Sequence, residues 1–501
     1  MFSLLAAAFL AVPCTAATWT VPGLSNAPGR NGTFFVSELK IRNTSSASTQ
    51  ATFELLPIVG GAVSPATRAI AAGETLVLSN ALQELYGAGD RAGTVRVTSS
   101  QTLLFSARTY NNADPKGTFG LALDAVEDGQ LLAAGQTGHV GWVSDSGDGS
   151  KGFRTNVGVV LSAAGSSVDA VVFGAGGGEL GRRTFTGGPQ ALQVGVRDIA
   201  GGDLSVARLE LRVTAGKATG YSAVVDNVTG DGFTVPTQRI APGTWADVTL
   251  NGVSRGPGRF DTFFRTDVRL VNPEATARQV TVSGVSLLAG GQPFPASATV
   301  DVPAKGTVEV VDLLANLFHA PDGTNGSLSF RTDGPLLVLG RTSNIAADGS
   351  TFGAVQKTFG PQSYLVLGYS GTFTGLIQST ATPGYRTNVG FLAGAAGAVV
   401  DLTLRDRAGN VVSTRTGGVA LAPFAFYQPS LADLFPGTTI PENAALDVTP
   451  SDGTVDVYAS FIDNGTGDPA IYPITPFAVE IPPSFTVTSP CPPNPGASGL
   501  I

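Results

Sequence analysis

The sequence predicts an all-β chain built of four tandem antiparallel β-sandwich units. Three observations predict it. A short strand motif recurs four times at near-constant spacing. Short Val-, Thr- and Leu-rich runs alternate with Gly and Pro turn signals throughout. Long apolar stretches with the 3.6-residue period of a helix do not occur.

The motif is clearest at Phe264-Arg265-Thr266-Asp267-Val268. Phe153-Arg154-Thr155-Asn156-Val157 and Tyr385-Arg386-Thr387-Asn388-Val389 repeat it, and Phe35-Val36-Ser37-Glu38-Leu39 is a divergent copy. Copies a little over a hundred residues apart imply one small domain each. Phe264, Thr266, Val268 and Leu270 alternate with Arg265, Asp267, Arg269 and Val271. That is the period-2 pattern of a half-buried strand, and Asn272-Pro273 ends it. In the first copy Phe35, Leu39 and Ile41 take the inner face, and Glu38, Lys40 and Arg42 the outer. The polar residues are expected to form a surface ladder with cross-strand partners. The copies at 153 and 385 are apolar on both faces near their ends, which predicts a cover on each side.

Taken in order, residues 1–17 read as a secretory signal peptide: Phe2 to Val12 is apolar and small residues follow Cys14. No Lys or Arg precedes the apolar run, and a lipidated Cys14 is the alternative reading. Unit A1 spans 18–128, B1 129–240, A2 241–360 and B2 361–475, and a Pro-rich tail covers 476–501. The A-B-A-B order follows from pairwise likeness. Thr33-Phe34-Phe35 and Thr118-Phe119-Gly120 of the first unit answer Thr262-Phe263-Phe264 and Thr351-Phe352-Gly353 of the third. The segment Tyr221 to Asp231 answers Tyr458 to Asp468. Within each unit a Gly/Pro-rich lead-in loop reaches the motif strand and a hairpin follows. A short helical turn comes next, at 81–86, 313–318 and 430–435, degenerate near Val196-Arg197-Asp198-Ile199. Asp312 and Ser430 are the expected N-caps.

Composition narrows the functional classes. Gly 65 and Pro 32 accompany a hydrophobic fraction of 43%, enough for several cores. Charged residues are only 14% and the net charge is −8, with no basic stripe, so nucleic acid is not an expected partner. After the signal peptide no stretch is long and apolar enough to span a membrane as a helix. If Cys14 leaves with the signal, Cys491 alone remains and no intrachain disulfide forms.

Catalytic motifs are absent or out of context. Gly176-Gly177-Gly178-Glu179-Leu180-Gly181 has dinucleotide-binding spacing, but a strand, Arg182 to Thr186, follows where a helix is needed. Gly252-Val253-Ser254-Arg255-Gly256 has the spacing of a nucleophile elbow but aligns with the lead-in loop at Gly23. The only histidines, His139 and His319, fall in different units and loop-like contexts, against a His-based triad or zinc site. The sharpest polar feature is the repeated Asp-Asn-x-Thr-Gly-Asp loop. Asp226, Asn227 and Asp231, and Asp463, Asn464 and Asp468, are candidate calcium ligands, with Asp145 to Asp148 a weaker set. Asx-turns at hairpin ends are the competing reading. Trp19, Trp142 and Trp245 are expected in cores or between units rather than stacked on sugars.

The motif strands and the Asn-Pro turn resemble those of Ig-like β-sandwich arrays in secreted bacterial proteins. The resemblance is closest to arrays that repeat a [FW]RT[DN] strand, and it covers nearly all of residues 20–475. It implies fold and secretion and brings no catalytic residue. The expected protein is a secreted, elongated, non-enzymatic structural or adhesive component of the cell surface or extracellular matrix. Its units would act as spacers and protein–protein contact modules, with self-association through exposed strand edges. A carbohydrate-binding accessory protein is the alternative. No cofactor other than calcium is expected.

Overall fold

The computed structural model describes residues 16–115, 117–240, 248–358, 360 and 363–478. The signal peptide, Cys14, Trp245, Cys491 and the Pro-rich tail lie outside the described residues. The fold is all-β with several antiparallel sheets. All four motif copies are strands: Phe34–Asn43, Phe153–Leu161, Phe263–Val271 and Tyr385–Arg405. Turn chemistry ends the first and third as expected. Asn43 and Asn272 accept the backbone N–H two residues on, from Ser45 and Glu274, and their amides donate to nearby carbonyls.

The first sheet (residues 17–127) and the fourth (248–357) share one strand order. In the first the order is 49–59, 91–99, 17–28, 34–43, 103–111, 119–123; in the fourth it is 278–289, 324–331, 248–257, 263–271, 337–345, 351–357. Residues 132–236 form the second and third sheets, which face each other. In the fifth sheet (365–478) the two layers are joined by unbroken strands, Tyr385–Arg405 and Ala444–Asp463. The 252–256 segment lies within the strand Val248–Pro257 rather than a loop, because Gly252, at φ +70°, forms a bulge that lets pairing continue.

The helical turns form at Ala81–Tyr86 (α1), Leu313–Phe318 (α2) and Leu431–Leu434 (α3), with a 3-10 turn at Val196–Asp198. Ser430 caps α3 in a capping box with Asp433. Asp312 does not cap α2 with its side chain; its carboxylate pairs with Arg255 instead. A charged partner outcompetes the neutral N–H of a first helical turn.

Four hydrophobic clusters follow the four stretches of sequence, yet they overlap. Tyr221 and Ala223 belong to the first cluster, and Val271, Leu337 and Leu339 to the second. The outer faces of the motif strands account for this. Lys40, Arg42 and Arg269 are buried, not solvated. Lys40 donates to the Gly375 carbonyl (3.0 Å) and Arg42 to Thr372 Oγ1 (3.1 Å), so the first sheet is bonded to the fifth. Arg269 donates to the carbonyls of Val143 (2.8 Å) and Ser205 (2.9 Å), which bonds the fourth sheet to the third. Backbone bonds repeat the same joint, Thr75 N to the Arg407 carbonyl and Thr307 N to the Ala175 carbonyl. The expectation of an elongated array is corrected here: the first and last sheets meet, and the chain closes into a ring.

Candidate functional site

The Asp-Asn loops lie at this closure. Each joins a long strand to a short one, Lys217–Asp226 to Gly232–Pro236 and Ala444–Asp463 to Pro469–Pro473. Asp226 Oδ1 accepts from Val228 N (2.9 Å) and Thr229 N (3.3 Å), and Oδ2 from Thr351 N and Oγ1 (both 3.0 Å). Asp463 does the same with Gly465 N, Thr466 N and Thr118 N and Oγ1. The Asn residues complete the loop. Arg154 donates to Asn227 Oδ1 (2.7 Å) and Arg386 to Asn464 Oδ1 (2.8 Å). The motif arginine thus serves the Asp-Asn loop of its own unit. Asp231 Oδ2 accepts from Gly353 N and Asp468 Oδ2 from Gly120 N, both at 2.9 Å.

All six candidate calcium ligands are buried. Asp226, Asp463, Asn227 and Asn464 direct their oxygens to different N–H and O–H donors, and the loops adopt Asx-turn geometry. Among the described residues no three His, Cys, Asp or Glu side chains gather as a metal-binding group. Asp145 and Asp148 likewise accept from Gly147 N and Ser150 N in exposed turns.

At the ring centre Asp231 and Asp468 influence each other and lie beside Arg341 and Arg108. Arg108 bonds Asp468 at 3.4 Å, and Phe119 meets Phe352 edge-on at 5.6 Å. Burial pushes Asp468 up to about 7, against the pull of Arg108. Burial, with the Asp468 charge, holds Asp231 well above the ordinary carboxylate range. One oxygen of each carboxylate, Oδ1, has no hydrogen-bond partner.

Beside this centre the ends of all four sequence stretches enclose a small polar chamber of about 40 Å³. Thr234 Oγ1, Gln238 Nε2, Asn251 Oδ1 and Tyr458 Oη line it, and none has a hydrogen-bond partner among the described residues. A space of this size with several polar partners suits ordered water. Asn251 Nδ2 donates to the Asp456 carboxylate, which burial pushes up to about 7. The chamber shares Gln356, Tyr458 and Ile471 with a larger open cleft of about 500 Å³ between the fourth and fifth sheets. Phe264, Phe426 and Tyr427 supply aromatic surface there, and Asn325, Asn388 and Gln428 supply amides.

The remaining sequence candidates fall as follows. Gly176–Gly178 turn a hairpin between the strands Ser166–Gly174 and Glu179–Gly187, with no helix after them. His139 lies on the strand Thr137–Asp145 rather than in a loop; it is buried beside Glu210, and desolvation pushes it down to about 4. His319 ends α2 in a left-handed conformation. Trp19 packs on Phe105, and Trp142 lies in the second cluster under the Arg269 guanidinium at 4.4 Å. Sequence reasoning missed the cleft. The signal available was a break in the repeat: Asn251 and Asp456 stand where the first half has Pro22 and Thr219.

No known family matches the chain, and no curated protein matches it. Two solved structures are similar in part. The crystal structure of Thermotoga maritima 1070 is 10% identical, with a TM-score of 0.19 over 23% of this chain and 94% of that one. A Streptomyces avermitilis alpha-L-rhamnosidase complexed with L-rhamnose is also 10% identical, with a TM-score of 0.10 over 90% of this chain and 55% of that one. Likenesses this low carry no argument about fold or function.

Proposed function

We propose that the chain is a secreted, non-enzymatic structural or adhesive protein of the cell surface or extracellular matrix. It consists of four Ig-like sandwich units in A-B-A-B order, with boundaries near 128, 240 and 360, that act together as one closed contact module. One observation carries this reading: the polar residues that recur in the sequence are engaged in hydrogen bonds that hold loops and join neighbouring sheets. Arg154, Arg386, Asp226 and Asp463 hold loops and neighbouring sheets rather than a reacting group. Residues repeated in this way build a scaffold. The strand Val411–Leu421 lies at an edge of the fifth sheet, and Val411 and Val412 on it are exposed. Such an edge suits strand addition by a neighbouring molecule.

Protease treatment of intact producing cells, with immunoblotting, tests the location. Digestion without lysis is the expected result, and a protected pool found only after lysis would overturn it. Sedimentation of residues 18–501 tests the shape and self-association: a compact particle that associates with rising concentration is expected. A Val411→Lys, Val412→Lys double variant should lose that association.

A further inference from the structure

We propose that the cleft between the fourth and fifth sheets is a binding site for a saccharide chain, with Tyr427 as its stacking platform. The inference deepens the adhesive half of the reading above by naming a ligand class for one surface.

The argument starts from a tyrosine that occurs twice. Tyr221 and Tyr458 occupy matching places in the two halves, each lying against a glycine of its motif strand, Gly158 or Gly390, that leaves room for the ring. Tyr221 donates to Gln193 Oε1 at 3.0 Å. Gln193 lies on the strand Gln190–Gly195, which pairs with the motif strand along Asn156 to Leu161 and covers the ring. In the second half the corresponding segment, Ala425 to Ser430, also runs beside the motif strand, from Asn388 to Ala393, with Gln428 in the place of Gln193. Gln428 makes no bond to Tyr458, and the segment borders the cleft. Tyr458 is 3% exposed and borders both the cleft and the chamber, and its buried hydroxyl has no partner among the described residues.

What lines the opening has the chemistry of sugar recognition. Tyr427 is 45% exposed and lines the cleft, where it offers an aromatic surface on which a sugar ring can stack. Phe426 is fixed beside it by a bond from its own N–H to Ser286 Oγ (3.1 Å) across the two sheets. The side-chain amides of Asn388 and Gln428 make no hydrogen bond to a described residue, and both face the cleft. An amide offers donors and an acceptor together, which matches a vicinal diol. Aromatic rings and side-chain amides around one opening suit a ligand with apolar faces and hydroxylated edges. A pyranose is such a ligand. The volume, about 500 Å³, is in the range of sites that hold small ligands.

Isothermal titration calorimetry on the full mature chain tests this, with cellohexaose, xylohexaose, chitohexaose and hexagalacturonate as probes. Saturable binding of at least one is expected. Tyr427→Ala should weaken that binding at least tenfold, and Asn388→Ala several-fold. Gln193→Ala, in the first half, should leave binding unchanged. Failure of all four hexasaccharides to bind the folded chain would overturn the proposal, as would binding indifferent to Tyr427→Ala. Tyr427 lies on the surface, so a variant with unaltered sedimentation separates loss of the site from loss of the fold. Surface location is read independently by the protease experiment, so either reading can fail alone.

Discussion

The two halves of the ring, residues 17–240 and 248–478, use the same devices at matching positions and differ in a few places. Asp226 grips Thr351 as Asp463 grips Thr118, and Arg154 holds Asn227 as Arg386 holds Asn464. Where they differ, the second half is the more polar and open. Asn251 and Asp456 replace Pro22 and Thr219, and the hydroxyl of Tyr221 is bonded to Gln193 whereas that of Tyr458 has no partner among the described residues. The lesson is that repetition in this chain marks the hydrogen bonds that hold loops and sheets together, whereas departure from repetition leaves polar groups without partners among the described residues.

The largest expected effect breaks the comparison at the joints. Arg269 is buried and donates to three carbonyls and to Glu309, whereas Lys40 at the matching place donates to one carbonyl beside Glu38. Arg269→Ala should cost about 3–5 kcal/mol, because it orphans a carboxylate and several carbonyls. Lys40→Ala should cost about 1–3 kcal/mol. Urea unfolding of both variants checks the order, and equal losses would contradict the geometry.

A smaller effect sharpens the likeness of the halves. Asp226→Ala and Asp463→Ala each strand the same four donors, and each should cost about 2–3 kcal/mol. Calcium should not alter either value. A calcium-dependent rise in the melting temperature of the wild type, absent from both variants, would support the cation reading of these loops.

The halves should also differ in their response to pH. Burial raises Asp456 to about 7, so from about pH 4 to 7 the folded state holds a proton that the unfolded chain releases. Stability from this group is therefore greatest at low pH and is lost as pH rises through 7. Asp231 and Asp468, one in each half, add slopes of the same sign, so the difference between the halves rests on Asp456. His139, depressed to about 4 by burial, acts in the opposite sense: it costs stability as pH falls below its ordinary value near 6.5. Asp456→Asn should remove on the order of 2 kcal/mol of the decline between pH 5 and 8. Melting curves across that range for wild type and variant read it directly, and superimposable profiles would refute it. The smallest effect is at the tyrosines. Tyr221→Phe should cost about 1 kcal/mol, since Gln193 loses its donor, and Tyr458→Phe close to nothing.

Much of the fold was legible from local chemistry. The motif strands, the hairpin at Gly176–Gly178, the Asn43 and Asn272 turns and the Ser430 cap each depend on residues near in sequence, and alternation and turn residues report them. The candidate site was less legible. Arg42 and Arg269 read as solvated because a charged residue on the outer face of a strand normally is. Nothing local reveals that another sheet's carbonyls will meet them. Asp312 read as a cap for a similar reason, since the competing Arg255 is remote in sequence.

By itself the sequence determined the strands, the four-fold recurrence and the pairing of unlike units, because periodicity and turn propensity are properties of neighbouring residues. Only the tertiary structure decided that the array closes. Closure depends on Asp463 reaching Thr118 and Lys40 reaching Gly375, contacts between residues more than three hundred positions apart. It also decided that the hydroxyl of one tyrosine is bonded and that of its twin is not, since that depends on where a residue remote in sequence places its side chain.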